Sequence, residues 1–191
     1  MNWLERGCVR IAPTFQRPAA KSCLVSGMLR QGHLSHVSAS HLLGAQQSTA
    51  TPAIETLADT ERKNHAILEE FTKSSSLYRL RPSLLQPFAA VASSTFGTVL
   101  RTLSPAVSQA YAAGVKLAIA DYYNDQIREI YAELDNAPEA APLKELFKSL
   151  RDAELEDIEQ IFPSIEEAKA NQTVQYARQA TMLVLSPSQS V

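Results

Sequence analysis

From about residue 28 onward, apolar residues recur at intervals of three and four, and no convincing alternating pattern interrupts them. That period belongs to helices, so the chain is expected to build its core without strands. Prolines then cut the pattern into segments. A first helix is expected over Gly32 to Gln47. A second runs from about Ile54 to Tyr78, where Ile54, Leu57, Ala58, Glu61, Ile67 and Leu68 share helical spacing, and Arg81-Pro82 breaks the chain after it. Ser104-Pro105 supplies a cap and a first-turn proline for a helix reaching about Leu134. Asn136-Ala137-Pro138 and Ala141-Pro142 frame a loop. Pro142 opens the next helix, to near Phe162, and Pro163 the last, to near Leu185, before Ser186-Pro187. The expectation is an all-α bundle of five or six helices, with functional side chains on inward-facing stripes.

The charge is unevenly spread. Residues 1–50 hold five basic residues (Arg6, Arg10, Arg17, Lys21, Arg30) and one acid, Glu5, while the whole chain carries −2. A basic, Ser-rich, acid-poor start reads as a mitochondrial transit peptide or a disordered leader over residues 1–29, with cleavage expected before Arg30 in the first case, a helical domain over 30–185 and a tail over 186–191. Cys8 and Cys23 both fall in that leader, so the remainder offers no disulfide and no thiolate metal site. The body is acidic, which argues against a nucleic-acid partner. A length of 191 residues suffices for one domain with a sizeable core.

Arg101 is the only charged residue between Arg81 and Lys116. Within that stretch the Pro82–Leu100 run is rich in Ser and Thr and interrupted by Pro87 and Gly97, which fits a transmembrane span poorly. It fits a buried helix or one lying on a membrane surface, with Leu84, Leu85, Phe88, Val91 and Phe96 offering the apolar face.

Two later stripes mix charge with apolar residues. On the helix from Pro142, Leu143, Phe147, Leu150, Glu154, Asp157 and Ile161 share a face, so two carboxylates stand among core residues. On the helix from Pro105, the face is Lys116, Ile119, Tyr123, Ile127, Ile130 and Leu134. Its lysine points inward, where a lysine is rarely found without a partner; outward snorkelling of its stem is the bland alternative.

The run Gly114-Val115-Lys116 through Tyr123-Asn124-Asp125-Gln126-Ile127-Arg128 resembles a segment of the demethoxyubiquinone hydroxylases of ubiquinone biosynthesis, A-V-E-x-x-I-x-x-H-Y-N-x-Q-I/L-R. Arg151-Asp152-Ala153-Glu154-Leu155-Glu156-Asp157 resembles that family's R-D-x-E-L-E-H, and Arg30 to His36 resembles its R-x-x-H-A-G-E. Arg81-Pro82-Ser83-Leu84-Leu85-Gln86-Pro87 also matches, and the resemblance covers about residues 29–185. It implies a ferritin-like di-iron carboxylate fold, in which Tyr123, Asn124, Arg128 and Arg151 support the ligands and Arg178 matches a C-terminal family arginine.

The same resemblance places Lys116 at a glutamate ligand, Asp157 at a histidine ligand and His36 at a glutamate ligand, and keeps Glu154. The family's E-x-x-H falls on Asn64 and Ile67 when counted back from Arg81-Pro82, and on Glu61 and Asn64 when counted forward from Pro52. Glu61 and His65, four residues apart, form a further candidate metal pair. Chemistry at a two-iron centre needs several anionic oxygens to hold two cations. The expectation is therefore a mitochondrial pseudoenzyme with no cofactor, in which a Lys116–Glu154 ion pair replaces the metal. It would sit peripherally on the matrix side of the inner membrane, in quinone biosynthesis or as an accessory subunit of an inner-membrane complex. Two alternatives stand beside it: an active monooxygenase binding iron through a rearranged set (Glu154, Asp157, His36, Glu61, His65), and a quinone- or lipid-binding protein without chemistry.

Overall fold

The computed structural model describes residues 17–46, 52–74, 86–134 and 140–188. Among these the elements are α1 (Arg17–Gly44), α2 (Pro52–Ser74), α3 (Gln86–Arg101), α4 (Pro105–Glu133), α5 (Ala140–Glu159), α6 (Ile165–Ala170) and α7 (Gln172–Ser188). The bundle is all-α, as the helical period dictates. α4 packs along α5 on one side and α7 on the other, and α1 packs along α2 and α3.

The caps explain several boundaries. Ser104 Oγ accepts from the Val107 amide and Pro105 takes the first turn, so α4 begins where expected. α5 starts two residues before Pro142, which leaves that proline in the first turn, where its missing N–H costs nothing. The last segment differs from expectation. Ser164 caps a short α6 through the Glu167 amide, and Asn171 then breaks the helix. The Asn171 Oδ1 accepts from the Thr173 and Val174 amides, restarting the chain as α7. One expected helix is thus two, and the described residues hold seven helices rather than five or six.

The largest correction lies at the N-terminal boundary. α1 begins at Arg17, not Gly32, and Leu24, Val25, Met28 and Leu29 are all buried in the main core. Tyr122 Oη donates to the Met28 carbonyl at 2.9 Å, fastening this part of α1 to α4. The helical domain therefore extends upstream of residue 30, and cleavage before Arg30 would cut a packed helix. Residues 1–16 lie outside the described residues.

Two glycines set how closely helices approach. A Cβ at Gly97 of α3 would lie 2.3 Å from the Leu42 carbonyl of α1. A Cβ at Gly114 of α4 would lie 2.5 Å from the Val174 carbonyl of α7. No side chain fits at either crossing without moving backbone.

α3 corrects one of the two expectations for the uncharged run, that of a buried helix. It buries Gly97 and Leu100 against α1 and α4, while Phe88 (74%), Val91 (68%) and Val99 (53%) are exposed. It is a surface helix with an outward apolar face, not a buried one. No helix among the described residues is long and apolar enough to cross a membrane. Leu84 and Leu85 lie outside the described residues.

Candidate functional site: a lysine among buried carboxylates

Four helices each turn polar side chains into the bundle at the same level. α1 contributes His36. On α2, the buried stripe Ile54, Leu57, Glu61, Asn64 and Leu68 carries two polar members. α4 contributes Lys116 and Tyr123, and α5 contributes Glu154 and Asp157. His36, Glu61, Lys116, Tyr123 and Glu154 have no exposed surface, and Asp157 almost none.

Lys116 Nζ sits 2.5 Å from Glu61 Oε1, 2.7 Å from Asp157 Oδ2 and 3.1 Å from Glu154 Oε2. The ammonium thus meets three carboxylates, not Glu154 alone. Nζ, Glu61 Oε1, Glu154 Oε2 and Asp157 Oδ2 are all buried, so each is compensated chiefly by the opposite charge it meets. The outer atoms are well directed. His36 is hydrogen-bonded at both ring nitrogens, Nδ1 to Glu61 Oε2 at 2.6 Å and Nε2 to Tyr123 Oη at 2.7 Å. Asn64 Nδ2 donates to Glu154 Oε1 at 2.8 Å, and Gln160 Nε2 to Asp157 Oδ1 at 3.1 Å.

The proximity of these groups separates their protonation. Burial pushes the Glu61 carboxyl upward, but Lys116 and His36 reverse this and hold it at about 2. Burial and the Glu61 charge raise Glu154 to about 7, against the pull of Lys116. Burial also raises Asp157, with Lys116 opposing. Burial would lower Lys116, yet Glu154, Glu61 and Asp157 outweigh it and keep the ammonium charged far above neutral pH.

The structure places the remaining candidates apart from this cluster or at its edge. His65 does not converge with Glu61. Its Nε2 lies 2.8 Å from His33 Nε2 on a half-buried flank, so that metal pair is not formed. Ile67 is 45% exposed, which resolves the count along α2: Glu61 and Asn64 face inward, and Ile67 does not. Arg128 pairs with Asp125 on the surface at 3.2 Å and supports nothing inside. Arg151 reaches Asn124 Oδ1 at 3.2 Å and Asp152 at 2.6 Å, also outside the cluster. Arg178 holds Asp121 at 2.5 Å, bracing α7 on α4. Asn64 as the amide on Glu154, and Glu61 as a partner of Lys116, were not foreseen; the inward α2 stripe was the signal for both.

These residues do not fit a two-metal centre. On the correspondence above, Glu61 and Glu154 stand at carboxylate ligands, but Lys116 brings a fixed positive charge where an anion is needed. Asn64 offers only a neutral amide, already donating to Glu154. An ammonium in contact with three carboxylates occupies the place where a cation would gather them.

An apolar cavity of about 280 Å³ lies beside the cluster, between α1, α3, α4 and α7. Leu34, Leu42, Phe96, Val115, Ile119 and Leu185 are among its lining residues. Phe96 packs edge-on against Tyr111 at 5.1 Å at its wall.

A family profile described as ubiquinone biosynthesis protein COQ7 matches residues 24–184. Three similar proteins are each named NADPH-dependent 3-demethoxyubiquinone 3-hydroxylase, mitochondrial. The Dictyostelium discoideum protein is 27% identical over 74% of this chain and 64% of its own length. The Rattus norvegicus protein is 30% identical over 69% and 61%, and the Homo sapiens protein 28% identical over 69% and 61%. The chain thus spans about three fifths of the length of the curated relatives it matches.

Proposed function

This chain belongs to the COQ7 family of ubiquinone biosynthesis proteins, and we propose that it is a non-catalytic member of it. It serves quinone biosynthesis through its surface, peripherally on the matrix side of the mitochondrial inner membrane. The observation that carries this reading is Lys116 Nζ within 3.1 Å of Glu61, Glu154 and Asp157. Hydroxylation by a carboxylate-bridged metal pair needs those oxygens for cations. Here they neutralise an ammonium that is part of the chain. The relatives' mitochondrial names support the location, and the exposed Phe88–Val91–Val99 face of α3 supports membrane contact.

The test is single-turnover hydroxylation of demethoxyubiquinol by protein incubated with ferrous iron, a reductant and oxygen. The expected result is no product above that of protein-free controls. Stoichiometric hydroxylated quinol would overturn the reading.

A second reading rests on the apolar cavity beside α3: the protein holds a quinone or another lipid without transforming it. The lining is apolar apart from hydroxyls such as Ser35, Ser38 and Thr181, as an isoprenoid tail requires. Binding of a fluorescent quinone analogue, abolished by filling the cavity with Ala92→Trp, supports it; equal binding by that variant contradicts it.

A further inference from the structure

We infer that the flank between α1 and α2 carries an exchangeable site for one Ni²⁺ or Cu²⁺ ion, chelated by the Nε2 atoms of His33 and His65, with Glu69 as a third donor. The site uses none of the groups in contact with Lys116 and does not depend on the non-catalytic reading. His33 is buried on α1, and His65 is half-buried on α2. Two packed helices therefore hold the pair, and one ligand remains open to solvent.

The ring geometry is that of a chelate. The two Nε2 atoms lie 2.8 Å apart, and the ring centroids 4.3 Å apart with planes tilted by 53°. Two imidazoles meeting head on across such a hydrogen bond would set their centroids ~5 Å apart. The rings instead lean together, so their Nε2 lone-pair axes meet at an angle. With metal–nitrogen bonds of ~2.0 Å and a bite of ~90°, an ion requires nitrogens ~2.8 Å and centroids ~4.4 Å apart. A tetrahedral ion would require nitrogens ~3.4 Å apart. To bind, the ring that now donates moves its proton to Nδ1, and both Nε2 lone pairs face the ion.

The surroundings favour the neutral rings that metals need. Burial and the neighbouring His65 hold His33 at about 4, and burial lowers His65 as well. Glu69 stands one turn beyond His65 on α2, and its charge reaches both rings. Its carboxylate now meets Lys73 Nζ at 3.2 Å in an exposed pair, which holds it weakly. Swinging to the ion, it would supply an anion, and water the remaining positions. Two imidazoles and a carboxylate at right angles suit Ni²⁺ and Cu²⁺ above Zn²⁺.

The experiment titrates Ni²⁺ alone, then Zn²⁺ alone, into the full chain by calorimetry; Ni²⁺ is not reduced by the thiols of Cys8 and Cys23. The expected result is one saturable Ni²⁺ per chain, bound more tightly than Zn²⁺. His65→Ala weakens it by more than ~10-fold, Glu69→Gln weakens it less, and His41→Ala, which removes a histidine away from the pair, leaves it unchanged. Circular dichroism checks that each variant is folded, and His65→Gln replaces His65→Ala if that variant is not. No saturable Ni²⁺ binding by wild type, or binding that the His65 variant leaves intact, would overturn the inference. Zn²⁺ bound more tightly than Ni²⁺ would overturn the right-angled geometry on which it rests.

Discussion

The centre of the bundle and the outer face of α3 break the same rule in opposite directions. Around Lys116, an ammonium, three carboxylates and an imidazole share a site without solvent. On α3, Phe88, Val91 and Val99 face water with no charge among them. Helical periodicity serves both, since each is one stripe of an ordinary helix. What differs is the partner. Inside, every charge has another charge within reach. Outside, the apolar face has no partner among the described residues. A buried charge and an exposed apolar patch are the two informative departures from ordinary burial, and here one is the cluster around Lys116 and the other the outer face of α3.

The strongest way to break this contrast is to remove the inner cation. Lys116→Met leaves Glu61 and Asp157 buried without a counter-charge and is expected to cost ~3–5 kcal/mol in chemical denaturation. Adding Glu61→Gln restores more of the loss at neutral pH than adding Glu154→Leu. Glu61 is the ionised partner, held at about 2, whereas Glu154 sits at about 7 and carries less charge to leave behind. Purely additive effects in both double mutants would mean that these groups do not meet.

How far this cluster was legible in the sequence depends on the residue. Lys116, Glu154 and Asp157 were readable as inward because each shares a three- and four-residue spacing with core residues. His36 was readable only through family resemblance, since its own helix carries serines, glycines and histidines in no clear stripe. Glu61 was ambiguous: counts from Pro52 and from Arg81-Pro82 disagree, and only packing against α5 decides which turn of α2 faces Glu154. The first half of α1 was misread for a physical reason. A basic, Ser-containing, acid-poor segment looks the same whether it is a leader or a helix whose Leu24, Val25, Met28 and Leu29 find a core elsewhere in the chain. The break at Asn171 was present as a local signal, a side chain able to cap the following turn, but a 3.6-residue period runs through it unchanged.

The next effects separate α3 from the interior. Gly97→Ala drives a methyl toward the Leu42 carbonyl and is expected to cost ~1–3 kcal/mol, as is Gly114→Ala against α7. Gly97→Ala loosens α3, so protease cleavage within α3 should rise with it and stay unchanged in Gly114→Ala. Equal cleavage in both would mean α3 is not seated through that glycine.

The charge cluster also predicts a pH signature. The Glu154 folded-state value of about 7 lies above its ordinary one of 4.5. Its contribution is therefore fully present below about 4.5 and is lost as pH rises toward about 7. Glu154→Gln mimics the protonated form, so wild type should lose stability relative to it over that range, by on the order of 1 kcal/mol per pH unit, and level off above. A difference independent of pH would mean that Glu154 is ionised throughout.

The smallest stability change is expected outside. Phe88→Asp with Val91→Asp should move folding stability by less than ~0.5 kcal/mol per site, since both side chains are largely exposed. The same pair should abolish flotation with vesicles containing anionic lipid. Unchanged flotation would place the membrane contact elsewhere.

Elemental analysis of the wild-type protein, expressed with added iron and purified without chelator, tests the central claim most directly. If the Lys116 ammonium stands in the place of a cation, iron, zinc and manganese will all be well below one ion per chain. One or two iron ions per chain, retained through gel filtration, would contradict it.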